Sequence, residues 1–475
     1  MAVSRRQFLG TATALGGAVL LAPPGAAHAI AGGIPDYQAT RQSLDTHPVP
    51  RWYKDAKFGI FVHWGVYSVP AGSARQMAAE WYLWYQSYKD NQTWSYHRDT
   101  YGADFVYDDF IPRFTAENYD PDSWVRLFEQ AGAEYFALTS KHHDGFALFP
   151  SAVTDRHAGK YGPKRDLVGE LMAAARRRGT VRPGLYYSLG EFFNPALGRP
   201  MRNFYTDQEI PMVGYKEVAD YVGDYELKQL YEIIDRYDPE LLWADGQWFR
   251  KTDTTPWRSE EPMAHYYNKA KNRPRPKGVV VNDRFDTHYD FATYEQRTNP
   301  TMDPQKWECC ITMGYSWGYN KFETDEDYKT SEYLIHLLAD VVSKNGNLLL
   351  NIGPKPDGTI PAVMQQRLRD IGAWLDVNGP AVYGSTPWLR AEETGSPLGI
   401  RYTVTPGRFN VIVLGAPSGT LSLPGDIPVS SGSRIRLLGS REPVRWTRSD
   451  GKIHLTVPSS LPSDIANTFT IDWVR

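Results

Sequence analysis

Short apolar runs alternate with segments of helical period along most of this chain, and this alternation constrains the fold more than any other feature. The apolar runs have the length and composition of buried strands. Six of them predict strands: Lys57–Val62, Glu134–Thr139, Arg182–Ser188, Glu240–Ala244, Lys277–Val281 and Asn347–Ile352. Strands separated by helices in this way indicate a parallel sheet with helical crossovers.

Several intervening segments place apolar side chains on one helical face. The spacing i, i+3, i+4, i+7 predicts helices that begin near Leu167, Leu227 and Tyr333. The last of these is expected to end at Asn345 and Gly346, because both residue types favour helix C-termini. Another helix is expected to begin with Asp120 as its N-cap and Pro121 in its first turn.

A doubly wound sheet and a closed barrel both fit this alternation, and the polar residues favour the barrel. Polar clusters follow five of the predicted strands: His63–Gly65, Lys141–Gly145, Tyr186–Ser188, Trp243–Gly246 and Asn282–Arg284. Barrel enzymes build their sites from the carboxyl ends of many strands. A dinucleotide-binding sheet would need a Gly-rich turn after its first strand, and no G-x-G-x-x-G occurs there. We therefore predict a (β/α)8-like TIM barrel.

The pattern changes after Trp388. The remaining chain has short alternating runs punctuated by Gly, Ser and Pro, which predicts a small β-sandwich. The runs are Arg401–Thr405, Arg408–Gly415, Arg434–Gly439 and Lys452–Val457. We expect a catalytic barrel domain over residues 30–388 and a β-sandwich domain over 389–475.

Residues 1–29 have the pattern of an export signal. Arg5 and Arg6 precede the apolar run Thr11–Ala22, and Ala27–Ala29 forms an A-x-A cleavage site. Paired arginines indicate twin-arginine export, so the mature protein is expected to begin near Ile30 and to act outside the cytoplasm. The apolar run is too short and Gly-rich for a transmembrane helix, and no later segment is expected to span a bilayer.

Composition excludes some partners and leaves others open. A formal net charge of -3 and a pI of about 6.4 give no electrostatic reason to expect nucleic acid or an anionic membrane as partner. The 15 Trp and 30 Tyr residues suit either sugar stacking or a large aromatic core. Cys309 and Cys310 are adjacent and form neither a disulfide framework nor a CxxC metal site, so we interpret them as small buried side chains.

The segment Ser140–Phe149 contains His142, His143 and Asp144 in sequence, and three interpretations are open. A metal site would need more ligands, for which His63 and Asp144 are the candidates. The histidines could instead be structural. The third interpretation is hydrogen bonding to a hydroxylated substrate, because each imidazole offers a donor and an acceptor. We favour the third.

Carboxylates at other strand ends suit a glycosidic reaction. Asp245 lies between Trp243 and Trp248 directly after a predicted strand, where it could be a turn residue or a nucleophile. A second carboxylate would be needed as proton donor, and Glu295 and Glu308 are the two candidates. Arg284 could orient a carboxylate or hydroxyl, or form an ion pair with Asp283 or Asp290.

Nine short sequence strings of this chain together resemble one enzyme family. The strings KFGIFVHWGVYSVPA, EWY, KHHDGF, KRDLVGEL, GLYYS, LWADG, VNDR, KWE and SWGYN occur in order between Lys57 and Trp388. They are similar to the α-L-fucosidases of glycoside hydrolase family twenty-nine. On residue type alone, Glu80–Tyr82 and Ser316–Asn320 would be aromatic core elements. The resemblance implies a barrel followed by a β-sandwich, a retaining exo-glycosidase mechanism without metal or organic cofactor, and a fucosylated oligosaccharide or glycoconjugate as substrate.

The resemblance also assigns roles. It implies Asp245 as the nucleophile and Glu295 as the general acid/base, with Glu308 as the alternative. Residues implied to contact substrate are His63, Glu80, Trp81, His142, His143, Tyr186, Trp243, Arg284 and Trp317. Phe192, where many members have Trp, and a longer segment around Arg250–Pro262 leave linkage preference open. Two rivals remain: a catalytically silent fucose-binding barrel, and a metal-dependent hydrolase centred on the histidine pair.

Overall fold

The computed structural model describes residues 35–249 and 256–473, and its central feature is an eight-stranded parallel sheet. The strands are β1 (Phe58–Val62), β2 (Tyr135–Lys141), β3 (Arg182–Ser188), β4 (Leu241–Asp245), β5 (Val280–Val281), β6 (Ala292–Glu295), β7 (Trp307–Thr312) and β8 (Gly346–Ile352). They are ordered β5-β4-β3-β2-β1-β8-β7-β6, so the first and last strands in sequence are neighbours. The predicted (β/α)8-like fold is confirmed.

Helices cover the outside of the sheet. They are α1 (Arg41–Leu44), α2 (Arg51–Ala56), α3 (Tyr82–Gln86), α4 (Gln92–Tyr101), α5 (Pro121–Gln130), α6 (Leu167–Arg178), α7 (Leu227–Tyr237), α8 (Glu260–Asn272), α9 (Ser331–Ser343) and α10 (Ala362–Val382). The crossovers β5–β6 and β6–β7, all of whose residues are described, contain no α-helix. The barrel is therefore regular except at one side.

That irregular side is the seam between the two edge strands, β5 and β6. They meet through the isolated parallel bridge between Asn282 and Phe291, and through the Asp283 carboxylate, which accepts from the amide of Thr293 at 3.0 Å. Strand β5 has only two residues, so the Asn282 side chain extends the pairing. Its amide accepts from the Ala244 N–H at 2.8 Å and donates to the Ala244 carbonyl at 3.0 Å.

The interior of the barrel is filled with large side chains. Alternate residues of each strand point inwards. Phe61, Tyr135, Tyr186, Trp243 and Leu349 pack there as one buried cluster. The outward-facing residues form a second, larger core with the helices. Because both faces of the strands are buried, the strands read as continuous apolar runs in the sequence.

Helix ends follow their sequence signals closely. The prediction for α5 is confirmed, because the Asp120 carboxylate accepts from two amides of the first turn and Pro121 occupies the first position. Helix α9 ends before Asn345, which has a left-handed φ of 76°. The expectation that Gly346 belongs to this cap is wrong, since Gly346 begins β8. A Cβ there would lie 2.6 Å from the Trp307 ring, so packing requires a glycine at this position.

The C-terminal part is an antiparallel β-sandwich, as the alternating pattern predicted. Its strands are β9 (Thr386–Glu393), β10 (Gly399–Thr405), β11 (Arg408–Leu414), β12 (Thr420–Pro424), β13 (Ile435–Leu437), β14 (Trp446–Ser449), β15 (Lys452–Thr456) and β16 (Asn467–Asp472). One sheet is ordered β13-β16-β11-β10-β9 and the other β12-β15-β14, with a shared apolar core. The boundary expected at 388/389 lies within β9.

The N-terminal expectations concern a part of the chain that is not described. The twin-arginine signal proposed for residues 1–29 lies outside the described residues. The chain divides into a short unit, Met1–Asp36, and a compact unit from Tyr37 to Arg475 that holds the barrel and the sandwich. Within residues 35–249 and 256–473, no helix combines the length and apolar character that a bilayer crossing requires.

Candidate active site

A polar pocket lies at the carboxyl end of the barrel, where the predicted site residues come together from different strands. It is lined by Phe61, His63, Glu80, Trp81, His142, His143, Tyr186, Trp243, Asp245, Trp248, Arg284, Glu295 and Trp317. Each predicted site residue is in this set except Glu308. Residues 250 or more positions apart in sequence meet here because parallel strands all end at the same face.

Asp245, the last residue of β4, lies at the centre of the pocket and is held as an anion. Its Oδ1 accepts from Arg284 at 2.8 Å, and its Oδ2 accepts from the Tyr186 hydroxyl at 3.0 Å. His143 Nε2 lies 3.5 Å from the same Oδ2. Burial opposes ionisation, but Arg284 and His143 outweigh it and hold the pKa of the Asp245 carboxyl well below its ordinary value.

Glu295 ends β6 and shares Arg284 with Asp245. Its Oε2 accepts from the second terminal nitrogen of the guanidinium at 2.5 Å. The two carboxylates differ in exposure: the side chain of Glu295 is 41% exposed and that of Asp245 only 11%. One guanidinium thus bridges a buried carboxylate and a solvent-accessible one. Arg284 pairs with these two groups rather than with Asp283 or Asp290, which were the structural alternatives.

Glu308 lies inside the barrel and away from the pocket lining. It is fully buried in β7. Its Oε2 accepts from the hydroxyls of Tyr53 at 2.8 Å and Tyr135 at 2.6 Å, and its Oε1 accepts from the Trp243 indole at 3.0 Å. Burial raises the pKa of Glu308 to about 7 despite these hydrogen bonds. Its contacts therefore join the side chains of Tyr53, Tyr135 and Trp243 inside the barrel.

The histidines after β1 and β2 face the pocket with one nitrogen each. Nδ1 of His63 hydrogen-bonds Asn351 at 2.7 Å, and Nδ1 of His143 hydrogen-bonds Ser188 at 2.5 Å. Nδ1 of His142 is buried without a protein partner. Burial lowers the pKa of His63 to about 3 and that of His142 well below its ordinary value. These two rings are therefore neutral and can each donate or accept a hydrogen bond.

Asp144 points away from the pocket. One carboxylate oxygen accepts from the Phe146 amide at 3.2 Å, so it caps the turn after β2, and the other accepts from the Tyr107 hydroxyl at 2.8 Å. In the part of the chain that the structure describes, no three of His63, His142, His143 and Asp144 bring ligand atoms within 4.8 Å of one another. The arrangement suits hydrogen bonding to hydroxyls better than metal coordination.

Glu80 and Trp317 lie in two connections at the carboxyl end of the barrel, the first after β1 and the second after β7. Glu80 Oε2 accepts from the Ser316 hydroxyl at 3.0 Å and from the Gly318 amide at 2.9 Å, while its Oε1 is buried without a protein partner. Burial raises the pKa of Glu80 to about 7. The Trp317 ring packs 5.0 Å from the ring of His63. Glu80 therefore gives the pocket a polar wall, and Trp317 gives it an apolar wall.

Comparison with known proteins decides the family. The family model described as "Alpha-L-fucosidase" matches residues 26–380. An "Alpha-L-fucosidase" from Branchiostoma floridae is 38% identical over 92% of this chain and 94% of its own. A "Tissue alpha-L-fucosidase" from Bos taurus is 37% identical, covering 93% and 92%. This chain belongs to the α-L-fucosidase family.

Solved structures of the family have the same fold. The crystal structure of Thermotoga maritima α-fucosidase in complex with fucose superposes with a TM-score of 0.79, at 38% identity over 92% of this chain and 100% of that one. Family membership makes the protein a glycoside hydrolase. It also places the pocket described above within an enzyme fold.

Sequence reasoning missed several residues that build this fucosidase-family site. Phe61 and Trp248 line the pocket, and Trp248 is 49% exposed at its mouth. Asn351 orients His63 from the end of β8, and its amide carries no catalytic signature of its own. Ser188, which belongs to the polar cluster predicted at the end of β3, orients His143.

Proposed function

We propose that this protein is a retaining exo-α-L-fucosidase that hydrolyses terminal α-L-fucosyl residues of glycans. The observation that carries the proposal is the pair Asp245 and Glu295, bridged by Arg284 in a hydroxyl-binding pocket. Two carboxylates around one glycosidic bond are the requirement of most glycoside hydrolases. Family membership and the fucose-bound relative support fucose as the sugar.

The first step forms a covalent fucosyl-enzyme. Asp245 is held as a carboxylate and attacks the anomeric carbon, while the bond to the leaving oxygen breaks. Glu295 gives its proton to that oxygen, so the aglycone leaves as a neutral alcohol. The greater exposure of Glu295 suits this role, since the leaving group of a terminal sugar has to extend from the pocket towards solvent.

The second step returns both carboxylates to their starting states. Glu295, now a carboxylate, takes a proton from water, and the resulting hydroxide displaces Asp245 from the anomeric carbon. Arg284 supports the alternation. Once Asp245 is esterified and uncharged, Glu295 is the remaining carboxylate that the guanidinium holds in place.

The pocket matches a deoxysugar with three hydroxyls and one methyl group. His63, His142 and Glu80 each offer a polar group at the pocket wall, and two of their atoms, His142 Nδ1 and Glu80 Oε1, are buried without protein partners. Buried polar atoms of this kind favour a ligand that supplies the missing hydrogen bonds. Trp317 and Phe61 supply the apolar surface for the methyl group.

The leaving group is proposed to lie against Trp248 at the mouth. Its half-exposed ring packs edge to face on the ring of His143, with centroids 5.8 Å apart. It is tilted against the ring of Phe249, with centroids 5.6 Å apart. These contacts fix Trp248 beside the nucleophile. An aromatic face in this position can stack on the sugar that precedes fucose. We further propose that the enzyme works without metal or cofactor and is exported through its twin-arginine signal to reach fucosylated glycoconjugates.

The test is hydrolysis of a panel of aryl glycosides by the wild-type protein and by Asp245→Asn. We expect cleavage of aryl α-L-fucoside only, with release of α-L-fucose as the first product. Asp245→Asn should lower kcat by about 10⁴-fold or more while the protein remains folded. Fucose binding with no hydrolysis by the wild type would instead support the silent binding protein.

Loss of wild-type hydrolysis on chelation, at a temperature where the chain stays folded, would support the metal-dependent hydrolase.

A further inference from the structure

A second cluster of chemically capable side chains lies outside the active site. Nδ1 of His47 is 2.7 Å from Oδ1 of Asp290, and Nε2 of His288 is 3.8 Å from the same oxygen. One ligand atom from each residue lies within 4.8 Å of the other two, the only set of three His, Cys, Asp or Glu residues to do so across residues 35–249 and 256–473. Their side chains are at most 9% exposed.

This cluster is at the amino end of the barrel. Asp290 lies two residues before β6 and accepts from the Val281 amide, while His47 precedes α2 and β1. The active-site carboxylates, by contrast, end β4 and β6 at the carboxyl face. The amino face of barrel enzymes carries stability rather than catalysis.

Neighbouring groups hold His288 Nδ1 and Asp290 Oδ2, the atoms of these two residues that are not directed into the cluster. His288 Nδ1 lies 2.8 Å from the Asp45 carboxylate and donates to it, so Nε2 is the ring nitrogen that faces the cluster. That Nε2 is buried without a hydrogen-bond partner. Asp290 Oδ2 accepts from the Tyr267 hydroxyl at 2.9 Å, which leaves Oδ1 for the cluster. The Tyr267 ring also stacks on His47, with centroids 3.7 Å apart and planes 3° apart.

We propose that His47, His288 and Asp290 bind a divalent first-row transition-metal ion, for which Zn²⁺ is the best representative. Two imidazole nitrogens and one carboxylate oxygen form a ligand set that such ions prefer over Mg²⁺ or Ca²⁺. Coordination displaces the proton that His47 Nδ1 now donates to Asp290, and that proton is released to solvent. Water from the adjoining cavity, about 630 Å³ in volume, completes the coordination.

Asp45 acts as a positioning residue for this site. A carboxylate that accepts from the far nitrogen of a ligating histidine fixes the tautomer and the ring orientation. Together, Asp45 and Asp290 also balance the two positive charges of the ion. The metal would tie the segment before α2 to the β5–β6 connection, the side of the barrel where no helix covers the seam. Its role is therefore structural.

The test uses the untagged mature protein, stripped with EDTA and titrated with Zn²⁺, Co²⁺, Mg²⁺ and Ca²⁺ in separate arms. We expect one Zn²⁺ per chain, tetrahedral or five-coordinate Co²⁺ absorption, and no response to Mg²⁺ or Ca²⁺. Zn²⁺ should raise the Tm, because an ion that binds only the folded state stabilises it. The kcat on aryl α-L-fucoside at a temperature well below the Tm should not change with metal.

Three variants make the site assignment specific. His288→Asn should lose the Zn²⁺-dependent rise in Tm. Asp45→Asn, at a half-exposed position that tolerates substitution, should weaken Zn²⁺ binding by about 10- to 100-fold without abolishing it. His265→Asn removes a histidine that pairs with Asp235 at 2.7 Å elsewhere on the surface, and should behave as wild type.

The proposal is wrong if the wild type binds Zn²⁺ no more tightly than His288→Asn does. The cluster would then consist only of hydrogen-bonded histidine–aspartate pairs. It is also wrong if Asp45→Asn and His265→Asn bind Zn²⁺ equally well. Should His288→Asn fail to fold, the comparison of Asp45→Asn with His265→Asn decides alone.

Discussion

At the scale of single residues, Arg284 explains why Asp245 and Glu295 can have different roles. Its two terminal nitrogens each hold one carboxylate. Asp245 has further donors in Tyr186 and His143, and it is the more buried of the pair. The buried carboxylate with several donors suits the nucleophile, and the exposed one with a single strong partner suits the group that exchanges protons.

This assignment predicts the outcome of azide rescue. Glu295→Ala should hydrolyse an activated aryl α-L-fucoside slowly, because no base then assists water in the second step; the loss is expected to be about 10²- to 10⁴-fold. Azide needs no base and should restore turnover, with α-L-fucosyl azide as product, measured by rate and by NMR of the anomeric proton.

Glu308→Ala is the matched comparison. It should not respond to azide, because Glu308 lies beneath Trp243 and does not line the pocket. Rescue of Glu308→Ala, with none for Glu295→Ala, would exchange the two roles.

At the scale of elements, the site depends on β5, a strand of only two residues. Asn282 extends the short ladder between β4 and β5 by pairing with both backbone groups of Ala244, the residue before Asp245. It is fully buried. Arg284 follows two residues later, so the same side chain helps to set the distance between the nucleophile and its partner.

Replacing that side chain should affect both stability and catalysis. We expect Asn282→Ala to lower the free energy of unfolding by about 1–3 kcal/mol, because the Ala244 N–H and C=O are left buried without partners. We also expect kcat to fall, measured on aryl α-L-fucoside at a temperature where the variant is folded. Asn118→Ala removes an exposed side chain that bonds Asp357 and serves as control. Equal effects of the two substitutions would contradict this account.

The strands that could be predicted are those that form long apolar runs in the sequence. Arg182–Ser188 was predicted with its observed bounds, since it is a long run with both faces buried. Strand β6 was missed because its four residues are half-buried or exposed and show no apolar run. Strand β7 is fully buried, but Glu308 within it suggested a site residue rather than a strand.

The site was predictable in its members but not in its geometry. The strand-end positions of His63, His142 and Asp245 are visible in the sequence, and the resemblance added their roles. That Arg284 joins two carboxylates, or that the Glu308 side chain turns into the barrel interior, depends on the closing of the sheet. The polar strand ends predicted a closed barrel, but spacing and composition do not encode the side-chain contacts that form when the sheet closes.

At the scale of the whole molecule, buried carboxyls make stability depend on pH. Burial raises the pKa of Glu308 to about 7 from an ordinary value of 4.5. The folded state therefore keeps a proton that the unfolded state loses between about pH 4.5 and pH 7. Unfolding releases that proton, so the stability from this group falls as the pH rises through this window. Glu80, with its pKa also raised to about 7, acts in the same direction.

Glu308→Gln tests this linkage, because Gln keeps the shape and removes the titration. Relative to that of Glu308→Gln, the free energy of unfolding of the wild type should fall by up to about 3 kcal/mol between pH 4.5 and pH 8. Chemical denaturation across this range measures it. A constant difference for Glu308→Gln would mean that Glu308 titrates as it does in the unfolded chain.

The most direct test of the central claim is to trap the covalent intermediate and locate it. A 2-deoxy-2-fluoro-α-L-fucosyl fluoride should react once per chain, since the fluorine slows turnover of the ester more than its formation. Intact mass spectrometry followed by peptide mapping is expected to place one 2-fluorofucosyl group on Asp245, and none on the Asp245→Asn variant. A label on Glu295 or Glu308, or hydrolysis that proceeds with inversion and no adduct, would contradict the account.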